Sequence, residues 1–370
     1  MVIQVKTKSD LKKFVRFPTK LYDSSSFYVP PLEVDELKMF SSKNPFWDSF
    51  VVRTWIAVDG KKVVGRIAAI IYKNRPEICR FTRFDFVDDF NVSEALVNVA
   101  IDFAKQLGCT KVHGPLGFSD FDRQGLLVEG FDKLSTFETS YNYAYYAQHL
   151  ERLGFIKEWD WVEYLIPVVN QDPTRLARIV DRIVERGNFY ILPKTMSATK
   201  LLKVHYQQIF DLIDKSYSFN DGYIPLNTRM RKDLIKQFKL VLQRDFISLV
   251  FTNSDCENLV GFACVLPSIA RSAQRSRGRM FPWGWLRLLR EAKKPKHVDL
   301  AIIAVHHDYR EQGINAILCH EIMVNSINRG ILTAESNLEL ETNNEIQAQM
   351  NAFEGKQLVK RRRCYVFHPK

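Results

Sequence analysis

One succession of elements is written twice along this chain, and that repetition limits the folds open to it. In the first half, residues 55–72 (WIAVDGKKVVGRIAAIIY) are two apolar runs joined by Asp59-Gly60, a strong hairpin signal. Residues 79–90 read as a further strand, residues 92–107 as an amphipathic helix ended by Gly108, and residues 111–114 as a short strand. A helix over 145–153 stops at Gly154, and the apolar run 161–169 closes the half. In the second half, residues 246–252 and 259–267 form a hairpin, and 298–305 is a strand. A helix over 315–328, a strand over 331–340, a helix over 344–353 and a last strand in RCYVFH follow. Hairpin, strand, helix, strand, helix, strand therefore occurs twice. That order predicts two α/β units of the α+β mixed-sheet kind, each a twisted mixed sheet flanked by helices.

The junction between strand and helix in the second half carries the chemistry. In residues 302–323, IIAVHHDYREQGINAILCHEIM, an apolar β-type run stops at a polar turn and a lone Gly follows. Helix-period apolar residues start at once with Ile314, Ile317, Leu318 and Ile322. Arg310, Gln312 and the free N–H groups around Gly313, Ile314, Asn315 and Ala316 converge where a helix dipole favours an anion. The stretch reads as a diphosphate cradle. It has neither the Gly-rich run ending in Lys-Ser/Thr of P-loop NTPases nor the GxGxxG of dinucleotide-binding folds.

Arg310-Glu311-Gln312-Gly313-Ile314-Asn315-Ala316, after an apolar strand and His307-Asp308-Tyr309, resembles the Arg/Gln-x-x-Gly-x-Gly/Ala loop of the GNAT acyltransferases. The resemblance implies that this loop binds the pyrophosphate of acetyl-CoA or another acyl-CoA, with Ala304 and Val305 on the thioester-binding edge. Asn315 departs from the family's usual Gly or Ala. The repeated order then implies two tandem GNAT-like acyl-CoA N-acyltransferase domains. These are a degenerate domain without a phosphate loop over 1–170, a connecting helical segment over 171–190, and a loop-bearing domain over 191–370. In the first half the equivalent slot reads Val87-Asp88-Asp89-Phe90-Asn91-Val92-Ser93, whose two carboxylates and lack of Gly would repel a diphosphate. Residues 114–132, GPLGFSDFDRQGLLVEGFD, resemble a segment of a largely uncharacterised bacterial group of GNAT-like proteins.

Acyl transfer to an amine needs a polarised thioester carbonyl, a base for the amine proton and a donor for the departing thiolate. Alternation along one strand over 331–340 puts Glu335, Glu339 and Glu341 on one face; Glu335 and Glu339 are read as a solvated strand face, and Glu341, at its C-terminal end, is the candidate base. Asn343 and Asn344 stand where the family often has an Asn on the pantetheine arm, and both also suit a helix N-cap. Where many members place a Tyr as the thiolate's acid, counting back from Gly355 reaches Asn351. Tyr365 on the last strand, Tyr217 and Tyr223 are the phenols that could replace it, and no spacing selects among them. In the first half, Asp120, Asp122, Arg123, Glu129 and Asp132 either line a pocket or satisfy a structured loop. Tyr141, Tyr143, Tyr145 and Tyr146 cluster against a ligand or within the core.

Composition bears on partners. No run of about eighteen apolar residues occurs, and MVIQVKTKSDLKKF is too polar for the core of a secretory signal, so a cytoplasmic location is expected. Six cysteines without CxxC or Cys/His spacing predict buried thiols, with no metal site or disulfide framework. The net charge of +11 attracts anions. Much of it lies in 271–297, RSAQRSRGRMFPWGWLRLLREAKKPKH, where ten Arg, Lys and His residues face one acid, Glu291. That insert is first a lid or packing segment, and otherwise an amphipathic helix on an anionic membrane or a contact for tRNA. DNA is not an expected partner. The expected function is an enzyme, an N-acyltransferase, in the first instance an acetyltransferase, moving an acyl group from acyl-CoA to the amine of an unspecified acceptor. The other class is a non-catalytic protein on the same scaffold, or an RNA-binding one that resembles the tandem-GNAT aminoacyl transferases that use charged tRNA.

Overall fold

The computed structural model describes residues 1–219, 223–239 and 241–369, apart from the side chain of Arg175. In the first half the strands are β1 (Val2–Gln4), β2 (Phe50–Asp59), β3 (Lys62–Tyr72), β4 (Ile78–Phe86), β5 (Lys111–Gly114), β6 (Leu126–Glu129) and β7 (Ile156–Pro167). The second half adds β8 (Tyr190–Ile191), β9 (Ile247–Phe251), β10 (Leu259–Pro267), β11 (His297–Val305), β12 (Thr333–Glu335), β13 (Glu339–Leu340) and β14 (Gln357–Phe367). Among the described residues they share one sheet, ordered β1-β2-β3-β4-β5-β14-β7-β12-β11-β10-β9-β8, with β6 also on β14 and β13 on β7. β4 runs parallel to β5 and β11 to β12, while the neighbouring pairs β14 with β7 and β10 with β11 are antiparallel. The sheet is mixed, and it is continuous.

Its order reveals an exchange. β7 ends the first half and β14 ends the second, yet β14 lies between β5 and β7, and β7 lies between β14 and β12. Each half completes its sheet with the other's last strand. Residues on either side of 170 are therefore interleaved in one sheet, and helix Thr174–Gly187 connects them along the chain.

Charge holds the exchange in register. Lys360, Arg361, Arg362 and Arg363 are consecutive on β14, a run that a central strand tolerates only if each cation finds a partner. Arg362 and Glu163 are both fully buried, with Nε donating to Oε1 at 2.5 Å, and Arg362 also donates to the Ser140 carbonyl. Lys360, equally enclosed, meets Glu335 on β12 and Glu163 on β7. On the alternate face Arg363 makes two bonds to Asp160 at 2.8 and 3.0 Å, and Arg361 reaches Glu341 at 2.7 Å.

Helices cover the sheet on both sides. In the first half, Leu96 and Ala100 of helix Phe90–Gln106 pack with Ile67, Phe81 and Phe86, while Phe14 of helix Lys8–Leu21 packs with Ile56 and Ile70. The tyrosine cluster belongs to this core. Tyr146 Oη lies 2.6 Å from Tyr22 Oη and accepts the Phe86 N–H at 3.0 Å, and Tyr22 donates to Asp85 at 2.8 Å. In the second half, Ile209 and Phe210 of helix Ala198–Tyr217 pack with Leu249 and Phe262, and Ile314 and Leu318 of helix Ile314–Asn328 pack with Val250 and Ala263. Burial of both faces explains why 259–267 is a continuous apolar run. Gly261 lets the second helix approach, since a Cβ there would lie 2.5 Å from Ile314 Cγ2.

Two local expectations change. β4 ends at Phe86 and the helix begins at Phe90, because Asp89 caps it, its Oδ1 accepting the Asn91 N–H at 2.9 Å. Residues 331–340 are not one strand: β12 stops at Glu335 and β13 resumes at Glu339. At the break Ser336 turns to β7, its N–H donating to the Tyr164 carbonyl at 2.7 Å and its hydroxyl accepting the Tyr164 N–H at 2.9 Å.

Arg362→Ala removes the hydrogen-bonded partner of the buried Glu163 carboxylate, leaving only the more distant Lys360, and should lower unfolding stability by about 3–5 kcal/mol. Lys38→Ala, which removes an ion pair with Asp233 whose lysine is 48% exposed, should change it by about 0–1 kcal/mol. Urea denaturation of the three proteins checks both, and equal losses would show that the buried ladder does not hold the sheet.

Candidate active site

β11 and β12 pair only between residues 297–299 and 333–335, and then they part. Beyond that point β11 keeps β10 on one edge and faces a cavity of about 620 Å³ on the other. Both halves build its walls. Trp159 and Trp161 come from β7, Asp120 and Gln124 from the first-half loop, and Ile322 and Met350 from second-half helices.

The free edge of β11 is specific in what it presents. Its carbonyls are taken alternately by side chains: Ser216 Oγ donates to Val305 at 3.0 Å, Tyr217 Oη to Ile303 at 2.8 Å and Asn337 Nδ2 to Ala301 at 3.4 Å. The His306 N–H goes the other way, to the Val260 carbonyl at 2.9 Å. Strand alternation therefore turns the N–H groups of Ile303 and Val305 toward the cavity edge, where they can polarise a carbonyl.

After β11 a 3₁₀ turn, His307–Gln312, leads to Gly313, whose φ of 79° starts helix Ile314–Asn328. A Cβ at Gly313 would lie 2.6 Å from Ile183 Cδ1, so both backbone and space favour Gly. No side chain caps this helix; the Ala316 N–H bonds back to the Gly313 carbonyl at 2.9 Å, and the N–H groups of Ile314 and Asn315 are left to solvent or an anion. Arg310 lines the cavity beside it and donates to the Ser216 carbonyl at 3.2 Å. In the first half Asp89 occupies the matching N-terminus and Asp88 lies 3.3 Å from His149. One helix dipole is already met by a carboxylate, and the other is open.

Of the residues expected to hold the donor, Ala304, Val305, Arg310, Asn315 and Asn343 line the cavity. Gly313, Ile314 and Ala316 form the turn behind it, and Ile314 is core. Glu311 and Gln312 are exposed, Gln312 donating to the Asp308 carbonyl at 3.1 Å. Asn343 caps helix Asn344–Asn351 by accepting the Ile346 N–H at 3.2 Å, and Asn344 is its exposed first residue.

The two expected catalytic side chains lie elsewhere. Glu341 is outside the cavity lining, held between Lys157 at 2.5 Å and Arg361 at 2.7 Å. Tyr365 is buried in the first-half core and donates to Glu151 at 2.8 Å. The reason for the first is that β13 ends at Leu340: Glu339 lines the cavity, whereas Glu341 opens the turn that follows, its N–H donating to the Asp160 carbonyl at 3.1 Å. The reason for the second is the strand exchange, which carries the last strand away from β11.

Burial sets the charge states inside. It lifts the Glu339 carboxyl to about 7. It also raises the Tyr217 phenol, followed in effect by the charges of Glu339 and Asp120, while Arg310 opposes them. Glu339 and Arg310 thus both bear on the Tyr217 phenol within a single cavity. Tyr223 also lines it and donates to Asp214. Burial lifts Glu138 to about 7 and raises Asp120 and Asp299, since a low-dielectric wall disfavours the charged carboxylate. In the first-half loop only Asp120 and Asp122 of the expected acids reach the cavity. Arg83 holds Asp122 at 2.7 Å, and Gly117 makes room for it, since a Cβ there would lie 2.2 Å from Asp122 Oδ2. Arg123 donates to the Val29 and Phe137 carbonyls, Glu129 pairs with Arg361 and Asp132 with Lys133.

A carboxyl whose pKa is raised on folding binds protons that the unfolded chain has released, so Glu339 makes stability fall as pH rises from about 4.5 to about 7. Glu339→Gln should remove that part of the decline. Denaturant midpoints at acid and mildly alkaline pH check this, and parallel pH dependence in the two proteins would refute a buried, raised Glu339.

No protein-family model matches this sequence. Protein YghO of Escherichia coli strain K12 is 26% identical over 320 residues, covering 84% of this chain and 80% of that protein. A bacterial ceramide synthase of Caulobacter vibrioides is 27% identical over 299 residues, covering 78% of this chain and 75% of its own. Among solved structures, a tandem GNAT protein from the clavulanic acid biosynthesis pathway matches with a TM-score of 0.57 at 12% identity, over 100% of this chain and 98% of that one. The match runs along the full length of both chains, and this chain has the tandem GNAT fold.

Proposed function

We propose that this protein transfers an acyl group from acyl-CoA to the primary amine of a long-chain lipid, in the cavity between β11 and β12. The observation that carries this is the meeting of the free β11 edge, Arg310, Glu339 and Tyr217 in one cavity of about 620 Å³. The fold and the uncapped helix support acyl-CoA as donor, its diphosphate resting on first-turn N–H groups and Arg310. The volume and the largely hydrocarbon walls suit long chains. The name of the Caulobacter relative supports an amino-alcohol lipid as the acceptor class.

Glu339, lifted to about 7, is matched to a base working near neutral pH and takes a proton from the acceptor's amine. The nitrogen attacks the thioester carbonyl carbon, whose oxygen is held by an N–H of the β11 edge. The C–N bond forms, the C–S bond breaks, and Tyr217 gives its proton to the thiolate. The proton on Glu339 then returns to Tyr217, restoring both groups. Chains that fill the largely apolar cavity keep water from the thioester.

Isothermal titration with acetyl-CoA and long-chain acyl-CoA tests the donor site. Wild type should bind, and Arg310→Ala should weaken binding by about tenfold or more, as expected for loss of a charge-assisted contact. Equal affinity in the variant would remove Arg310 from the site. Turnover tests the chemistry: thiol release should require a long-chain 2-amino alcohol, and short amines failing to be excluded would overturn the lipid assignment. Only the ionised carboxylate accepts a proton, so kcat/KM should rise with pH and level off above about 7. Glu339→Gln should cut kcat by about 10²–10⁴ and erase that limb. A variant retaining it would dismiss Glu339 as base.

A further inference from the structure

Large apolar side chains exposed to solvent are scattered over the described residues except at one place. Phe281, Trp283, Trp285 and Leu286 are 81%, 65%, 39% and 42% exposed and lie within six consecutive positions. Besides Phe219, which lines the cavity, the three aromatic residues are the only exposed Phe and Trp among the described residues. The segment that presents them is firmly attached. Leu288 and Ala292 of helix Gly284–Lys293 pack with Val29, Ile269 and Ala273. The Gly278 carbonyl accepts the Glu33 N–H at 2.9 Å, and Gln274 donates to the Ser26 and Tyr28 carbonyls at 2.9 and 3.0 Å. This helix has one apolar face in the core and a second, around Trp285 and Leu286, turned outward. Its packing role explains only the first.

Cations flank the outward face along the chain. Nine Arg and Lys residues between 271 and 296 are exposed. The one acid in the insert is turned inward, Glu291 Oε2 accepting the Ser272 N–H at 2.7 Å. Placement adds a third observation. The insert leaves β10 after Pro267 and returns at His297, the start of β11, whereas the anion loop follows the far end of that strand. The cavity runs between the two, lined by Asp299 near the insert and by Arg310 at the loop.

We infer that this face docks on an anionic lipid bilayer. Phe281, Trp283, Trp285 and Leu286 enter the boundary between headgroups and acyl chains, and the flanking cations meet lipid phosphates. A nucleic acid would account for the cations and for stacking rings, but it offers nothing to Leu286. A bilayer satisfies all three. If the lipid-amine assignment above holds, docking places the acceptor's source at one end of the cavity and leaves the loop end to water-soluble acyl-CoA. Docking itself does not depend on that assignment.

The test uses the full chain without substrate, so its outcome is separate from that of acyl transfer. Co-sedimentation with phosphatidylglycerol-rich vesicles should exceed that with phosphatidylcholine vesicles by about tenfold or more, and lipids brominated in the acyl chain should quench tryptophan emission. The variant Phe281→Ala/Trp283→Ala/Trp285→Ala should bind anionic vesicles about tenfold or more weakly, given the apolar area removed. It should keep its acyl-CoA affinity, since none of the three residues lines the cavity. Trp283→Ala alone, a change at a 65% exposed position, should show the same trend if the triple variant folds poorly. Vesicle binding unchanged in these variants, or no quenching by brominated lipid, would overturn the inference. So would tRNA binding at ~0.2 M salt that is tighter than vesicle binding and lost in the aromatic variant, which would assign the face to RNA.

Discussion

The pairing of β14 with β7, locked by the buried Arg362–Glu163 bond, is the contact on which the rest of this structure depends. A strand carrying four consecutive cations lies at the centre of the sheet because every cation meets a carboxylate there. The same ladder reaches the site. Lys360 binds Glu335, the last residue of β12, and the Ser336 turn that follows is bonded to Tyr164 on β7. Where β12 ends, and so where the cavity opens, is decided by a strand belonging to the other half.

Two helix N-termini in equivalent places show how small a change separates a capped from an uncapped helix start. Asp89 meets the dipole of helix Phe90–Gln106 with its own carboxylate, whereas Gly313 leaves helix Ile314–Asn328 uncapped beside Arg310. Inside the cavity the charge logic is reversed. Burial disfavours ionised carboxylates, holding Glu339 and Glu138 near neutrality at about 7, where a proton can be accepted or released at little cost.

Elements with local signals were legible in the sequence. The Asp59-Gly60 hairpin joins β2 and β3, β10 spans residues 259–267 as read, and helix Ile314–Asn328 begins one residue before its expected start. These rest on turn chemistry and apolar periodicity, which neighbours in sequence specify. β11 and the turn and Gly-led helix after it were legible for the same reason, being contiguous in the chain. Glu339 was not selected over Glu341, because alternation along one strand puts both on the same face, and only the pairing of β13 with β7 ends the strand at Leu340. The cation run on β14 carried no local sign of partners, as Glu163, Asp160 and Glu335 lie far away in the chain.

The sequence by itself determined the repeated element order, the open phosphate-type loop of the second half, its acidic counterpart in the first, and a basic, aromatic insert before β11. Each is written in residues close together along the chain. Only the tertiary structure decided that the halves exchange strands, that Glu339 and Tyr217 share the cavity while Glu341 and Tyr365 do not, and that the insert turns its aromatic residues outward. Those outcomes depend on which distant partner satisfies a buried charge or hydrogen bond, and local sequence does not encode that choice.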